Sequence, residues 1–261
     1  SLIEKLDNSR GVMLTSRYEY PGRYTRYDIG FINPPIVIEV KGSKFFVESL
    51  NARGDILIDL FNTILHDCEI LNIDSFKDEM IQGEIVSSGK SFFEENRSKA
   101  PHVMNVLRHL RNALAIDDGY IGFYGAFGYD LGLDFMGVER EKSRDDSRDL
   151  VLYFADEIFV TDHEKKTSTK YSYDFEIIKT KKSTMFLVRD GKNEPYIPDI
   201  NYAASQEFSS QEYDQVVIEA KDYFARGDLF EVVPSYCFNE PCNSLPSTVF
   251  NTLLTVNPAP Y

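Results

Sequence analysis

Short strand patterns separated by proline-containing breaks constrain the fold of this chain more than any other feature. Val12–Thr15 is a short apolar run, and Tyr27–Ile32 and Ile36–Val40 follow after a polar arm whose Pro-Gly pair favours a turn. Asn33-Pro34-Pro35 separates the last two runs, and its prolines have no backbone N–H to donate to a strand ladder. The N-terminal region therefore predicts an antiparallel meander.

Helix patterns accompany these strands, so the sequence predicts an α+β fold. Leu2–Asp7 predicts a short helix. Pro101 suits a first helical turn, and apolar residues recur on one face from there to about Ile116. The clearest helix follows a capping box of Ser209 and Glu212 and ends at Gly227, and Ser247–Thr255 predicts a last one.

The later strand patterns differ in character. Tyr120–Asp130 is punctuated by three glycines, which allow another backbone to approach closely. Leu150–Thr161 and Thr169–Phe175 alternate well enough to predict a long hairpin, and Asp228–Phe238 reads as a core strand. We see no internal repeat.

Charge and cysteine content exclude several classes of function. The chain carries a net charge of −14, which repels phosphate backbones and anionic membrane surfaces, and no apolar run approaches the ~18 residues of a membrane span. Cys68, Cys237 and Cys242 form no CxxC pair, which favours a reducing cytoplasm. No export signal is visible in the first residues.

The common catalytic templates are absent from the sequence. There is no phosphate loop, no HExxH and no GxSxG elbow. The four histidines are scattered, and we favour surface or core roles for them over metal ligation. Gly122, Gly125 and Gly128 lie within a strand pattern, so close packing is favoured over a phosphate cradle.

Three segments call for more than packing. The polar arm of residues 18–26 concentrates tyrosines with Arg23 and Arg26, which suits an interface or an anion site. Glu231 lies within an apolar run and faces either solvent or a site. Asn257-Pro258-Ala259-Pro260-Tyr261 is rigid and poor in donors, which suits either a wall around a flat ligand or an ordinary loop.

These segments, as "SRYEYPGRYTRYDIGFINPP", "RGDLFEVVPS" and "NPAPY" together with "GFYGAFGYDLG", resemble the component I (large subunit) family of anthranilate synthases. The resemblance is strongest to the long bacterial form, in which a glutamine amidotransferase is fused behind the large subunit, and it spans nearly the whole chain. The pattern usually has tryptophan where Tyr27 stands, and this chain contains no tryptophan.

The resemblance implies a fold and a reaction. The fold is the N-terminal part of the α/β sandwich of chorismate-utilising enzymes, with two antiparallel sheets between helical layers. Residues 1–200 would form the N-terminal region and 201–261 the truncated start of the chorismate-binding region. The reaction converts chorismate and ammonia to anthranilate and pyruvate. It requires Mg²⁺, whose ligands are expected beyond residue 261, and an amidotransferase subunit or fused domain supplies the ammonia.

One catalytic position lies within the chain on this resemblance. Relatives that add water to chorismate carry a lysine base at the place matched by Glu231, whereas relatives that add an amine carry a glutamine or an acid. A carboxylate does not generate hydroxide as a neutral lysine can, so Glu231 is expected to hydrogen-bond the incoming ammonia.

A regulatory site is also implied, because L-tryptophan inhibits this family. Its site lies between the first strand and the NPxPY segment, here Met13, Leu14, Thr15 and Ser16 against Asn257, Pro258, Ala259, Pro260 and Tyr261. Thr15 replaces the usual glutamate, which weakens any charge contact with the ligand ammonium and leaves Ser16 as the polar partner. Arg26 is a looser match for a partner of the ligand carboxylate.

Two alternatives remain open on the sequence alone. One is a sister enzyme that stops after amination, an aminodeoxyisochorismate or aminodeoxychorismate synthase. The other is a non-catalytic amino-acid-binding regulator built from the same half-fold. Fusion to the amidotransferase and assembly into a homo-oligomer are likewise left open.

Overall fold

The computed structural model describes residues 1–16, 26–77, 79–86, 101–114, 118–136, 148–198, 203–206 and 208–259. Two compact units are present, one formed by 1–195 with 250–261 and the other by 196–249. Helices and antiparallel sheets occur together, which confirms the predicted α+β class. Within these described ranges, no helix is long and apolar enough to cross a membrane.

A four-stranded antiparallel sheet carries the N-terminus. Its strands, in spatial order, are β1 (Gly11–Thr15), β2 (Tyr27–Ile32), β9 (Glu157–Asp162) and β10 (Thr167–Ser172). The short helix α1 (Leu2–Lys5) precedes β1 and begins with a capping box. The predictions for the first helix and the first two strands are therefore confirmed.

A six-stranded antiparallel sheet forms the centre of the larger unit. Its strands, in spatial order, are β5 (Leu71–Lys77), β6 (Met80–Ile85), β4 (Lys44–Ser49), β3 (Ile36–Lys41), β8 (Leu150–Phe154) and β7 (Phe123–Phe127). The predicted meander is thus wrong beyond β2, since β3 pairs with β4 and β8 rather than with β2. The Asn33-Pro34-Pro35 break carries the chain from one sheet to the other.

A second crossing between the sheets splits the predicted long hairpin. β8 ends at Phe154 in the six-stranded sheet and β9 begins at Glu157 in the four-stranded sheet. Of the predicted hairpin, the part formed by β9 and β10 is present, with Asp162 in register with Thr167. The connecting residues, Ala155 and Asp156, are both buried.

Two helices cover the six-stranded sheet and make its core. These are α2 (Ala52–His66) and α3 (Val103–Ala113), and α4 (Leu131–Met136) follows β7. The predicted helix from Pro101 is confirmed to Ala113, and Ile116 lies outside the described residues. His102 caps α3 by accepting the Met104 N–H, and His109 Nε2 lies 2.9 Å from Ile64 O, so both histidines have structural roles.

Gly125 confirms the close-packing interpretation of the glycine-rich strand. It lies on β7 opposite Leu152 of β8, and a Cβ there would stand 2.0 Å from the Val151 carbonyl oxygen. By contrast, a Cβ on Gly122 would meet nothing within 4 Å. A Cβ on Gly128 would lie 3.1 Å from the Asp149 carbonyl oxygen. The approach of the neighbouring backbone is therefore closest at Gly125, and it places no demand on Gly122.

The end of the larger unit is mostly irregular. A two-stranded hairpin joins β11 (Glu176–Ile177) to β12 (Lys182–Ser183), and an irregular segment follows to Pro195. Glu194 fixes that segment by accepting from Arg10 Nε at 2.7 Å and donating its N–H to Asn8 O.

The smaller unit contains α5 (Ser210–Arg226), with β13 (Ser205–Gln206) paired to β14 (Phe238–Asn239). The capping box of Ser209 and Glu212 and the left-handed C-cap at Gly227 are confirmed. The last helix, α6, spans Pro246–Val256, close to its predicted bounds. The predicted strand Asp228–Phe238 is wrong, because residues 228–237 form no strand and only Phe238–Asn239 pairs.

Candidate functional site

The predicted regulatory residues begin on the outer strand of the four-stranded sheet. Met13, Leu14 and Thr15 lie on β1, in register with Gly30, Ile29 and Asp28 of β2. Thr15 and Ser16 are buried. The end of β1 therefore presents its polar atoms at the sheet end where β2 begins.

A polar network joins this strand end to its neighbours. The Thr15 hydroxyl donates to Asp28 Oδ1 at 2.7 Å, and His163 Nε2 lies 3.0 Å from Asp28 Oδ2. The His163 backbone N–H donates to Arg26 O at 2.8 Å. Sequence reasoning missed Asp28 and His163, because their proximity to Thr15 depends on the register of three strands.

Arg26 lies beside this network and is already engaged by acids. Its Nη2 is 3.3 Å from Asp162 Oδ2, its Nε is 3.3 Å from Glu164 Oε2, and its guanidinium stacks over Tyr27 at 4.9 Å. The Lys165 N–H, followed by Arg26, lowers the pKa of Asp162 below its usual range. Arg26 thus lies near the strand end that carries Thr15 and Ser16, and a ligand carboxylate would compete with acids for it. Its role toward a ligand stays a prediction.

The second predicted segment follows α6. The Asn257 N–H donates to Leu253 O at 2.9 Å, continuing the last turn of the helix, and Pro258 and Ala259 are exposed. Pro260 and Tyr261 lie outside the described residues. The approach of this segment to Met13–Ser16 stays a prediction.

Glu231 lies in the irregular stretch of the smaller unit. Its side chain is exposed, as are Phe230 and Val232 on either side of it. The stretch is fixed at one point by the Tyr213 hydroxyl, which donates to Pro234 O at 3.3 Å. Strand alternation therefore does not determine which way the Glu231 side chain points, because residues 228–237 form no strand.

A buried arginine is the other feature that the sequence did not indicate. Arg53 in the first turn of α2 is 1% exposed and forms an ion pair with Asp156, the residue at the crossing between the sheets. Arg53 Nη1 donates to Thr184 O and Leu187 O, and Nη2 donates to Tyr173 O and Asp174 Oδ1. All five guanidinium donors are therefore satisfied.

Burial changes the pKa of Asp156, the acidic member of this ion pair. It raises the pKa of Asp156, and the guanidinium groups of Arg53 and Arg189 oppose that shift. In the sequence, Asp156 lies within the predicted strand Leu150–Thr161, and its basic partner lies 103 residues away.

Comparison with known proteins gives one consistent family. The chorismate binding enzyme family matches residues 66–261. The anthranilate synthase of Azospirillum brasilense is 38% identical over 262 residues, which cover 100% of this chain and 35% of that protein. Anthranilate synthase component 1 of Vibrio cholerae is 24% identical over 88% of this chain and 46% of that protein. The corresponding protein of Haemophilus influenzae is 23% identical over 97% of this chain and 50% of its own length. The chain thus spans between about a third and a half of these relatives.

Proposed function

Because the chain belongs to the family of chorismate binding enzymes, we propose that it is the N-terminal part of an anthranilate synthase component I. The observation that carries this proposal is the 38% identity to the Azospirillum anthranilate synthase along the whole chain. The intact protein then converts chorismate and ammonia to anthranilate and pyruvate, a step of tryptophan biosynthesis.

The proposed reaction requires Mg²⁺, so the described residues were compared with the ligands that this ion prefers. Within the described part of the chain, no group of three His, Cys, Asp or Glu side chains could hold a metal ion. The described residues thus offer no set of ligands that fits Mg²⁺. We propose that its ligands lie beyond residue 261. When bound, a divalent ion would neutralise a carboxylate of the dianionic substrate, which a chain of net charge −14 otherwise repels.

Ammonia is the second substrate, and we propose that a glutamine amidotransferase, fused or separate, supplies it. Glu231 is the candidate to receive it, as a hydrogen-bond acceptor for the incoming nucleophile. The exposed position of Glu231 supports this role, because it leaves the carboxylate accessible.

We further propose that L-tryptophan inhibits the intact enzyme through Met13–Ser16, Arg26 and Asn257–Tyr261. The buried Ser16 and the Thr15–Asp28 hydrogen bond support a polar subsite for the ligand ammonium, and Arg26 supplies a cation for the ligand carboxylate. Inhibition requires that tryptophan bind two states of the enzyme with different affinity.

We place the enzyme in the cytoplasm. The support is chemical, since none of Cys68, Cys237 and Cys242 forms a disulfide, as expected in a reducing compartment.

Product analysis tests the proposed function. The intact protein is incubated with chorismate, Mg²⁺ and ammonium, with and without L-tryptophan, and the products are identified by mass spectrometry. Anthranilate with pyruvate, suppressed by tryptophan, is the expected result. An aminated product that retains its enolpyruvyl group would assign the protein to the sister synthases instead.

A further inference from the structure

Two acids bind the Arg26 guanidinium, and they differ in how firmly the structure holds them. Asp162 is 10% exposed, and its Oδ1 accepts the Glu164 and Lys165 N–H groups at 3.0 Å, so the turn between β9 and β10 fixes this carboxylate. Glu164 belongs to the same turn, but its side chain is 70% exposed. Among the described residues, the ion-pair partner of its carboxylate is Arg26, whose Nε lies 3.3 Å away. Glu164 can therefore leave Arg26 without disturbing the turn.

Other contacts keep Arg26 in place when Glu164 leaves. The Arg26 carbonyl oxygen accepts the His163 N–H at 2.8 Å, and the guanidinium lies over the Tyr27 ring at 4.9 Å. Asp162 Oδ2 lies 3.3 Å from Nη2. Exposed ion pairs such as that of Arg26 with Glu164 contribute little to stability. An incoming carboxylate can therefore replace Glu164 at small cost while Asp162 stays bound.

Strand register brings this arginine close to the predicted tryptophan site. Thr15 is the register partner of Asp28, so Ser16, the next residue of the chain, comes beside Tyr27. The Tyr27 ring lies beneath the Arg26 guanidinium, and Ser16 is buried. The guanidinium and Ser16 thus lie at the same end of two neighbouring strands. A guanidinium binds a carboxylate through charge-assisted hydrogen bonds, which are stronger than neutral ones.

We propose that Glu164 occupies Arg26 in the ligand-free enzyme and is displaced by the carboxylate of L-tryptophan. The inference rests on the proposed function, in which tryptophan inhibits the enzyme through Arg26. The ion pair with Glu164 stabilises the ligand-free state, and tryptophan has to break this pair in order to bind. Glu164 therefore weakens tryptophan binding and raises the concentration of tryptophan at which inhibition begins.

Isothermal titration calorimetry of the intact enzyme with L-tryptophan tests this role. Glu164→Gln keeps the size of the side chain but removes its charge, and it should lower the Kd for tryptophan about two- to fivefold, as expected for the loss of an exposed ion pair. L-Tryptophanamide has the same ring and ammonium but no carboxylate, so its Kd should be equal in the two proteins. Without tryptophan, the rate of anthranilate formation from ammonium salt should also be equal.

Two control variants separate this exchange from a general effect of charge. Glu39→Gln removes another acid that is paired with an arginine at the surface, Arg148, and it should leave the Kd for tryptophan unchanged. Arg26→Gln should raise that Kd. Adding Glu164→Gln to Arg26→Gln should then give no gain in affinity, because Glu164 acts through Arg26.

Several results would overturn the proposal. An unchanged or higher Kd for tryptophan in Glu164→Gln would do so, and so would an equal gain for tryptophan and its amide or an equal gain in Glu39→Gln. A gain that persists in the Arg26→Gln background would show that Glu164 acts on another group. If L-tryptophan does not bind the wild-type enzyme, the proposed regulation itself is refuted, and this inference with it.

Discussion

Replacement of Arg53 by methionine tests how much the buried network contributes to the fold. The substitution keeps a long apolar stem but removes a guanidinium that is 1% exposed and bonded through all five donors. Breaking a buried ion pair by removing one partner costs about 3–5 kcal/mol. Three backbone carbonyls also lose one hydrogen bond each, at a net cost of about 0.5–1.5 kcal/mol per bond.

The expected loss therefore reaches at least about 4 kcal/mol, a large part of the ~5–15 kcal/mol that stabilises a typical domain. Urea unfolding of the intact protein measures the loss, and amide hydrogen exchange over residues 173–189 localises it. Arg53→Lys should retain only part of the stability that Arg53→Met loses, because an ammonium offers three donors without the planar geometry of a guanidinium. Arg148→Met is the control, since Arg148 forms an exposed pair with Glu39 that should contribute about 0–1 kcal/mol.

Loss of Arg53 should also change how the stability of the protein depends on pH. Without Arg53, burial raises the pKa of Asp156 further above its unfolded value of 3.8. The folded state then binds the proton more tightly, so the stability of Arg53→Met should fall as pH rises above about 4. In Arg53→Met, Asp156 keeps only the longer ion pair with Arg189, at 3.5 Å. Adding Asp156→Leu removes this buried acid and should restore part of the lost stability. A loss below about 1 kcal/mol, or a double variant no better than Arg53→Met alone, would refute the reasoning.

Four further predictions concern single positions. Gly125→Ala should destabilise the larger unit by about 1–3 kcal/mol in urea unfolding, because its methyl collides with the carbonyl opposite, whereas Gly122→Ala should not. The pKa of Asp118 is lowered, first by a tyrosine hydroxyl that donates to it at 2.7 Å, so its contribution to stability is present above pH 3.8 and lost as pH falls through the folded pKa. Asp118→Asn should therefore flatten the acid limb of the stability profile. Ser16→Phe should abolish tryptophan inhibition of the intact enzyme, and inhibition that persists would remove Ser16 from the site. Glu231→Lys should slow amination with ammonium salt, and unchanged turnover would contradict a role in receiving ammonia.

Helix boundaries were predictable because their signals are local. The Ser209 hydroxyl accepts the Glu212 N–H, and Gly227 adopts φ +80° at the helix end, as the capping residues indicated. Such contacts join residues three or four positions apart. Neither the rest of the fold nor a partner is needed to form them.

Sheet membership was not predictable from the same chain. Alternation through Leu150–Thr161 gave one long strand, but the strand divides at Asp156 and its halves join different sheets. Alternation reports which face of a strand is buried, not which neighbour it pairs with. The division is stabilised by Arg53, and no local pattern connects the two residues.

The smaller unit gives the opposite error, a strand predicted where none forms. Asp228–Phe238 has the apolar content of a core strand, but a strand needs a paired edge and a covered face. Among the described residues, its pairing is limited to Ser205–Gln206 with Phe238–Asn239. An apolar sequence therefore predicts burial without supplying the surface that would bury it.

The charge at the proposed tryptophan site also depends on which strands are neighbours, and not on β1 alone. On the family resemblance, Thr15 stands where the component I pattern has glutamate, and from this we expected a weakened contact with the ligand ammonium. In the fold, Thr15 is the register partner of Asp28 and donates to its carboxylate at 2.7 Å. A carboxylate thus lies beside the same strand end, supplied by the neighbouring strand. The charge of a site is set by the side chains that converge on it, so a residue lost at one position of β1 can be replaced through strand register from β2.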